Sequence, residues 1–121
     1  MSVIVQKFGG TSVGSVERIE QVAEKVGRFR VTGNDVVVVV SAMSGETNRL
    51  IRLANSITDN PSPREMDVLV TTGEQVTIAL LCMALQKRGY DARSYTGGQV
   101  RILTDEQHSK ARIRDIDDQR I

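Results

Sequence analysis

Apolar residues recur along this chain with two different periods. Val3-Ile4-Val5 opens a short β-prone run that reaches Lys7, and Val36 to Val40 is an unbroken run of five valines. A run without polar positions predicts a strand buried on both faces, as strands of parallel sheets are. Between the two runs, Val16, Ile19, Val22, Val26 and Phe29 follow at steps of three and four, with Glu17, Arg18, Glu20, Lys25 and Arg28 on other faces. This is the stripe of an amphipathic helix. Ser15 fits its N-cap, Glu17 suits its first turn, and Gly33-Asn34-Asp35 is a turn signal before the valines. A strand, helix, strand order of this kind predicts two parallel strands joined by a right-handed crossover.

Thr47 to Ile57 predicts a second helix with Leu50, Leu53, Ala54 and Ile57 on one face, closed by the loop Asp59-Asn60-Pro61-Ser62-Pro63. Arg64 to about Gly89 reads as a long helix, with Leu69, Gly73, Val76, Leu80 and Met83 or Ala84 along one side. Gly73 interrupts that side, which predicts either a bend or a close approach by another segment. Asp91 to Tyr95 and Val100 to Thr104 are candidate strands separated by Gly97-Gly98. The tail from His108 onward is compatible with strand or loop.

Composition narrows the function classes. A length of 121 residues suits one compact core. The 16 basic and 15 acidic residues are interspersed, and only four aromatics (Phe8, Phe29, Tyr90, Tyr95) are present. Neither the basic face nor the stacking platforms of a nucleic-acid binder are in view, so no nucleic-acid partner is expected. One cysteine, Cys82, allows no intrachain disulfide, and the first residues lack the pattern of a signal peptide. These features predict a reduced, cytoplasmic protein. The longest apolar run, Val36 to Val40, is far shorter than a bilayer span, so a soluble chain without a membrane partner is expected.

Candidate chemistry sits in three polar stretches. In "QKFGGTSVG" (residues 6–14), Gly9 and Gly10 follow the first strand, where open α/β sheets collect ligands. Glycines there let the backbone approach an anion, Thr11 and Ser12 offer hydroxyls, Lys7 adds a positive charge, and the following helix would bring its N-terminal N–H groups. The pattern is neither the Walker loop nor the Rossmann fingerprint. Its plain alternative is a tight turn beside a solvated lysine. "SAMSGETN" (residues 41–48) follows the valine strand and should emerge at the same sheet edge, offering Ser41, Ser44 and Thr47, the last of which, taken on its own, reads as the N-cap of the next helix. "TTGEQ" (residues 71–75) places Glu74 within an apolar helical stretch, where a carboxylate is either solvated or aimed at a cation. Cys82, among Leu80, Leu81 and Met83, reads as a core residue. His108 has no second histidine or cysteine nearby, and Asp115, Asp117 and Asp118 read as a solvated acidic tail, so no metal ligand is assigned.

Taken in order, "VQKFGGTS", "VVVVVSAMSGETN" and "REMDVLVTTGEQV", with "SYTGGQVRILTD" and "ARI" further on, resemble the N-terminal part of aspartate kinases, members of the amino acid kinase family. The resemblance spans essentially the whole chain. It implies an α/β fold, a three-layer α/β/α sandwich with a mainly parallel sheet, of which these residues form a partial domain. It also implies transfer of the γ-phosphoryl group of Mg-ATP to the β-carboxylate of L-aspartate, the entry to lysine, threonine and methionine synthesis. By the same resemblance Lys7 neutralises charge on the transferring group, and Lys7, Phe8, Gly9, Gly10 and Ser12 bind the phosphates. Ser41, Thr47 and Glu74 would line the aspartate pocket, with Glu74 taking the amino group. The family's nucleotide-binding part and its regulatory ACT domains lie beyond these 121 residues. An inactive fragment with uncovered apolar surface, and a homo-oligomer for the full-length enzyme, are therefore expected. The alternatives are another amino acid kinase, of the glutamate 5-kinase, acetylglutamate kinase or uridylate kinase type, and a non-catalytic fragment that binds an anion or a partner chain.

Overall fold

The structure, a computed structural model, describes residues 2–119 and 121. Strands β1 (Val3–Phe8) and β2 (Asp35–Val40) pair in parallel, from Val3 opposite Asp35 to Phe8 opposite Val40. A 3-10 turn at Gly10–Val13 and helix α1 (Val16–Val31) connect them. Helices α2 (Glu46–Ile57) and α3 (Pro63–Lys87) follow, then a short helix α4 (Gly97–Val100) and an antiparallel pair, β3 (Ile102–Thr104) with β4 (Ile113–Ile116). The predicted strand, helix, strand unit is present. Ser15 caps α1 as its spacing suggested, its hydroxyl accepting the Arg18 N–H at 3.2 Å.

The core lies between one face of the parallel pair and the helices α1 and α3. Val13, Ile19, Val22, Ala23, Val26, Leu81, Ala84 and Leu85 form it, and Phe8, Val36, Val38 and Val40 pack against it from the sheet. The other sheet face carries Val3, Val5, Lys7 and Val39; Val3 and Val5 are about two-thirds exposed, and Val39 is 48% exposed. The valine strand is thus covered on one face, not on both as its composition predicted. The described residues supply the sheet and one helical layer, a partial α/β fold. Leu81→Ala is expected to destabilise the protein by about 2–5 kcal/mol, the usual result of emptying a buried leucine site, read as a shift in the denaturant midpoint.

Helix faces differ from the predicted stripes. On α3 the buried line is Gly73, Thr77, Leu81, Ala84 and Leu85, while Val76 and Met83 are 46% and 61% exposed. The helix is apolar on several sides, so periodicity could not select the face that packs on α1. Thr77 is fully buried, and its hydroxyl is satisfied by the Gly73 carbonyl at 3.3 Å. Val16 and Phe29 on α1, and Leu53 and Ile57 on α2, are also exposed. Only Leu50 of α2 is fully buried, because α2 meets α3 through its first turns. Asp91 to Tyr95 forms no strand; the Ala92 carbonyl accepts the Gln86 side-chain amide at 3.0 Å instead of a strand neighbour. The candidate strand at Val100 to Thr104 begins two residues later, at Ile102, because Thr96 and Gln99 form a capping box that turns Gly97–Val100 into a helix. The tail contributes β4. By length and composition α3, with 25 residues and a mean hydropathy of 1.7 in its most apolar window, could cross a bilayer. Runs of consecutive apolar residues hid this, because charged and polar residues interrupt them; a core helix meets the same criterion, and α3 packs on α1.

The two main helices are joined by charge. Glu20 on α1 meets Lys87 at 2.6 Å and Arg88 at 3.1 Å, at the end of α3. The Lys87 hydrogen bond, opposed by desolvation and helped by both cations, holds the Glu20 carboxyl below its ordinary 4.5. A depressed carboxylate stabilises the fold above its unfolded value, and that contribution is lost as pH falls through the lower, folded value. Glu20→Gln is expected to flatten the acid limb of thermal stability as pH falls below the ordinary glutamate range. An unaltered limb would remove Glu20 from that dependence.

Candidate active site

Strand β1 ends at Phe8, whose side chain points into the core and whose carbonyl accepts the Ser41 N–H at 3.2 Å. Phe8 therefore offers its backbone, not its ring, to the loop region. Pleating puts Lys7 on the uncovered sheet face, opposite Val39. Gly9 is extended (φ −78°, ψ 176°) and precedes the 3-10 turn, in which the Ser12 N–H donates to the Gly9 carbonyl at 3.0 Å. A Cβ on Gly9 would meet nothing within 4 Å, whereas one on Gly10 would lie 3.2 Å from the Ala42 carbonyl oxygen. Open space for a ligand therefore lies at Gly9, and Gly10 serves the approach of two loops. The N-terminus of α1 lies beyond this turn and is capped by Ser15, so the N–H groups beside the glycines belong to the 3-10 turn, not to α1 as expected.

The second loop leaves β2 with Ser41 half-buried and Ala42 fully buried. Gly45, at φ +80°, is the N-cap of α2 and supplies no side chain. Thr47 sits inside the first turn and is exposed, so the capping alternative is excluded and its hydroxyl is not committed to the helix end. Glu46 precedes it. Arg49 grips Glu46 through Nε at 3.0 Å and Nη2 at 2.6 Å. That hydrogen bond holds the Glu46 carboxyl below its ordinary range despite desolvation, and raises Arg49 in return. The pair is internally neutral beside the loop.

The third stretch completes the arrangement. Gly73 is buried in α3, and a Cβ there would lie 3.0 Å from the Ala42 Cβ, 3.5 Å from the Glu46 Cγ and 3.6 Å from a Leu50 methyl. Of its two predicted roles the close approach is the one realised, and α3 runs unbroken through it. Ala42 is thus held between Gly10 and Gly73, one glycine from each neighbouring stretch. The residues beside these contacts are Gly9, Ser41 and Glu74, the last exposed on α3. Lys7 and Glu74 take part in none of the ion pairs among the described residues. Lys7 and Glu74 are thus an unpaired cation and an unpaired carboxylate on the strand and the helix that flank the glycine-lined loop.

The amino acid kinase family model matches residues 2–121. The chain belongs to the amino acid kinase family. It is 74% identical over 121 residues to an aspartate kinase of Pseudomonas putida and 75% identical to an aspartokinase of Pseudomonas aeruginosa, covering all of this chain and 29% of each of theirs. An aspartokinase of Geobacillus stearothermophilus is 59% identical over the same span, 30% of its length. The chain therefore spans under a third of the relatives it matches. Among solved structures, the aspartate kinase from Synechocystis superposes with a TM-score of 0.78 at 58% identity, over 81% of this chain and 17% of that one. Escherichia coli aspartokinase III, solved with aspartate and ADP, has the same TM-score at 22% identity over 93% of this chain and 35% of that one, a likeness of fold.

In this amino acid kinase segment, Ala42, the Glu46–Arg49 pair and Asp67 were not singled out by sequence. Ala42 escaped because alanine carries no chemical signal; its small size between Ser41 and Met43 was the only clue. The Glu46–Arg49 pair was legible as opposite charges three apart on a helix. Asp67 on α3 accepts the Ser109 N–H at 2.9 Å and its hydroxyl at 3.3 Å, with His108 Nδ1 at 3.4 Å, pinning the β3–β4 loop across 42 residues of chain. Cys82, read from sequence as a core residue, is only half-buried and lies outside the core cluster, because Leu81 takes the side of α3 that packs on α1; desolvation still pushes its thiol up, away from the reactive thiolate. Among the described residues no group of three or more His, Cys, Asp or Glu is placed to hold a metal ion.

Proposed function

We propose that these 121 residues form the acceptor side of an aspartate kinase, which transfers the γ-phosphoryl group of Mg-ATP to the β-carboxylate of L-aspartate to give 4-phospho-L-aspartate, the first step toward lysine, threonine and methionine in the cytoplasm. The observation that carries this reading is the convergence of the three stretches on Ala42 through Gly10 and Gly73. High identity to aspartate kinases over the whole chain supports the same substrate.

In this reading Lys7 lies where charge builds on the transferring phosphoryl group. Gly9 contributes space, the N–H groups at the start of the 3-10 turn and the Ser12 hydroxyl serve the phosphates, Phe8 contributes backbone, and Gly10 holds the loop in place. Ser41 and Thr47 donate hydroxyl hydrogen bonds to the substrate, and Glu74 takes its ammonium group. Positioning and electrostatics account for most phosphoryl-transfer catalysis, and the attacking carboxylate is already ionised at neutral pH, so no general base is needed. Magnesium arrives with the nucleotide as part of the substrate. The remaining parts, a nucleotide-binding portion and regulatory ACT domains, complete the domain from further sequence, and the bare valines of the sheet support contact with additional protein, self-assembly of the full-length kinase included.

The test is a full-length aspartate kinase carrying these residues in place of its own matching segment. ATP-dependent formation of an acyl phosphate from aspartate, trapped with hydroxylamine, is expected, with no turnover by the 121-residue chain alone. A folded chimera that ignores aspartate, or that prefers glutamate, would overturn the reading.

A further inference from the structure

The geometry points to the contact between Gly73 and Ala42 as the spacer that sets which acceptor length the kinase accepts, an inference that rests on the proposed aspartate pocket. Glycine in the middle of a long helix is unfavourable compared with alanine, so its place at residue 73 calls for a reason. The reason is on the other side of the contact. A Cβ on Gly73 would lie 3.0 Å from the Ala42 Cβ, whereas two carbon atoms rest about 3.5–4.0 Å apart. Neither group can swing aside: Ala42 has no rotatable side chain, it is 5% exposed, and its carbonyl stands 3.2 Å from where a Cβ on Gly10 would be.

This contact lies between two proposed substrate groups. Ser41 is the residue next to Ala42, and Glu74 is the residue next to Gly73. Ser41 is further tied to β1 through the Phe8 carbonyl, so the hydroxyl side of the pocket cannot follow α3 if that helix moves. The separation of Glu74 from the hydroxyl loop, and hence of the ammonium site from the reacting carboxylate, is set by how closely α3 seats on Ala42. Aspartate and glutamate differ by one methylene along this line. Gly73 and Ala42 are thus positioning residues: they touch no substrate, and they fix the distance between groups that do.

Gly73→Ala would require α3 or the loop to give by up to about 1 Å, and displacements of that size are enough to cost about 10²-fold in rate. In the full-length chimera, Gly73→Ala is expected to raise the aspartate KM and to narrow the preference for aspartate over glutamate by about 10-fold or more, with the ATP KM unchanged. Ala42→Gly placed in the Gly73→Ala background reopens the same space and is expected to restore both the aspartate KM and the preference. A general loss of folding would instead lower the amount of active enzyme, leaving both KM values and the preference as they were, and that outcome would overturn the spacer. Failure of the double variant to restore the preference would overturn it as well. Glu74→Gln separates the two levels: if it raises the aspartate KM while Gly73→Ala does not, the spacer is wrong and the pocket stands; if neither does, the pocket is wrong too.

Discussion

Lys7→Met in the full-length chimera is expected to lower kcat by about 10²–10³-fold, the size of effect seen when one charge-stabilising group is removed from a developing oxyanion. Methionine keeps an unbranched side chain of nearly the same length and removes the ammonium group, both its charge and its N–H donors. Lys7 lies at the C-terminal end of β1, on the open face of the sheet, with no ion partner among the described residues. The proposed role of Lys7, meeting negative charge as it builds on the phosphoryl group, requires a cation left unpaired in this way. Because the side chain is exposed, the substitution should alter stability by no more than about 0.5 kcal/mol, so circular dichroism and thermal unfolding should match the parent. The aspartate KM should change little, since an interaction made mainly in the transition state appears in kcat. A kcat within about threefold of the parent would take Lys7 out of the reaction.

Glu74→Ala is expected to act on binding. Glu74 is exposed on α3 in these residues; once substrate and the rest of the kinase domain cover it, truncating one partner of the desolvated pair costs about 2–5 kcal/mol, which lowers kcat/KM for aspartate by at least about 30-fold. The change should fall on the aspartate KM, with the ATP KM kept. Succinate provides the internal control, because it has both carboxylates of aspartate and lacks the ammonium group. The parent should discriminate strongly between the two, and Glu74→Ala should remove most of that discrimination. Equal loss toward both would mean that Glu74 supports the fold or the loop, not the amino group. Glu46, at the start of α2 and packed beside Gly73, should not substitute for it, since Arg49 already neutralises its carboxylate.

Much of this was readable from local pattern. The strand, helix, strand unit, the Ser15 cap, the turn at Gly33 and the extent of α3 follow from interactions within a few residues, and they were found near their predicted bounds. The three polar stretches were recognisable as a set because each lies where a strand gives way to a helix or inside an apolar helix. Their order and spacing carried the family. Which side of α3 faces the core was not readable, because Val76 and Met83 are as apolar as Leu81 and only contact with α1 chooses between them. The bare face of β2 was misread for the same reason: five valines encode strand, and what covers them depends on distant chain.

The roles of the glycines depended most on the third dimension. Gly9 and Gly10 are equivalent in sequence, yet one faces open space and the other the Ala42 carbonyl. Thr47 by itself reads as a cap, yet Gly45 takes that place. Composition and spacing are one-dimensional quantities, and they specify which backbone states and which charges each stretch can supply. The meeting of Gly10, Ala42 and Gly73, from three stretches over sixty residues of chain, is a packing outcome, decided when α3 docks on the loop that follows the valine strand.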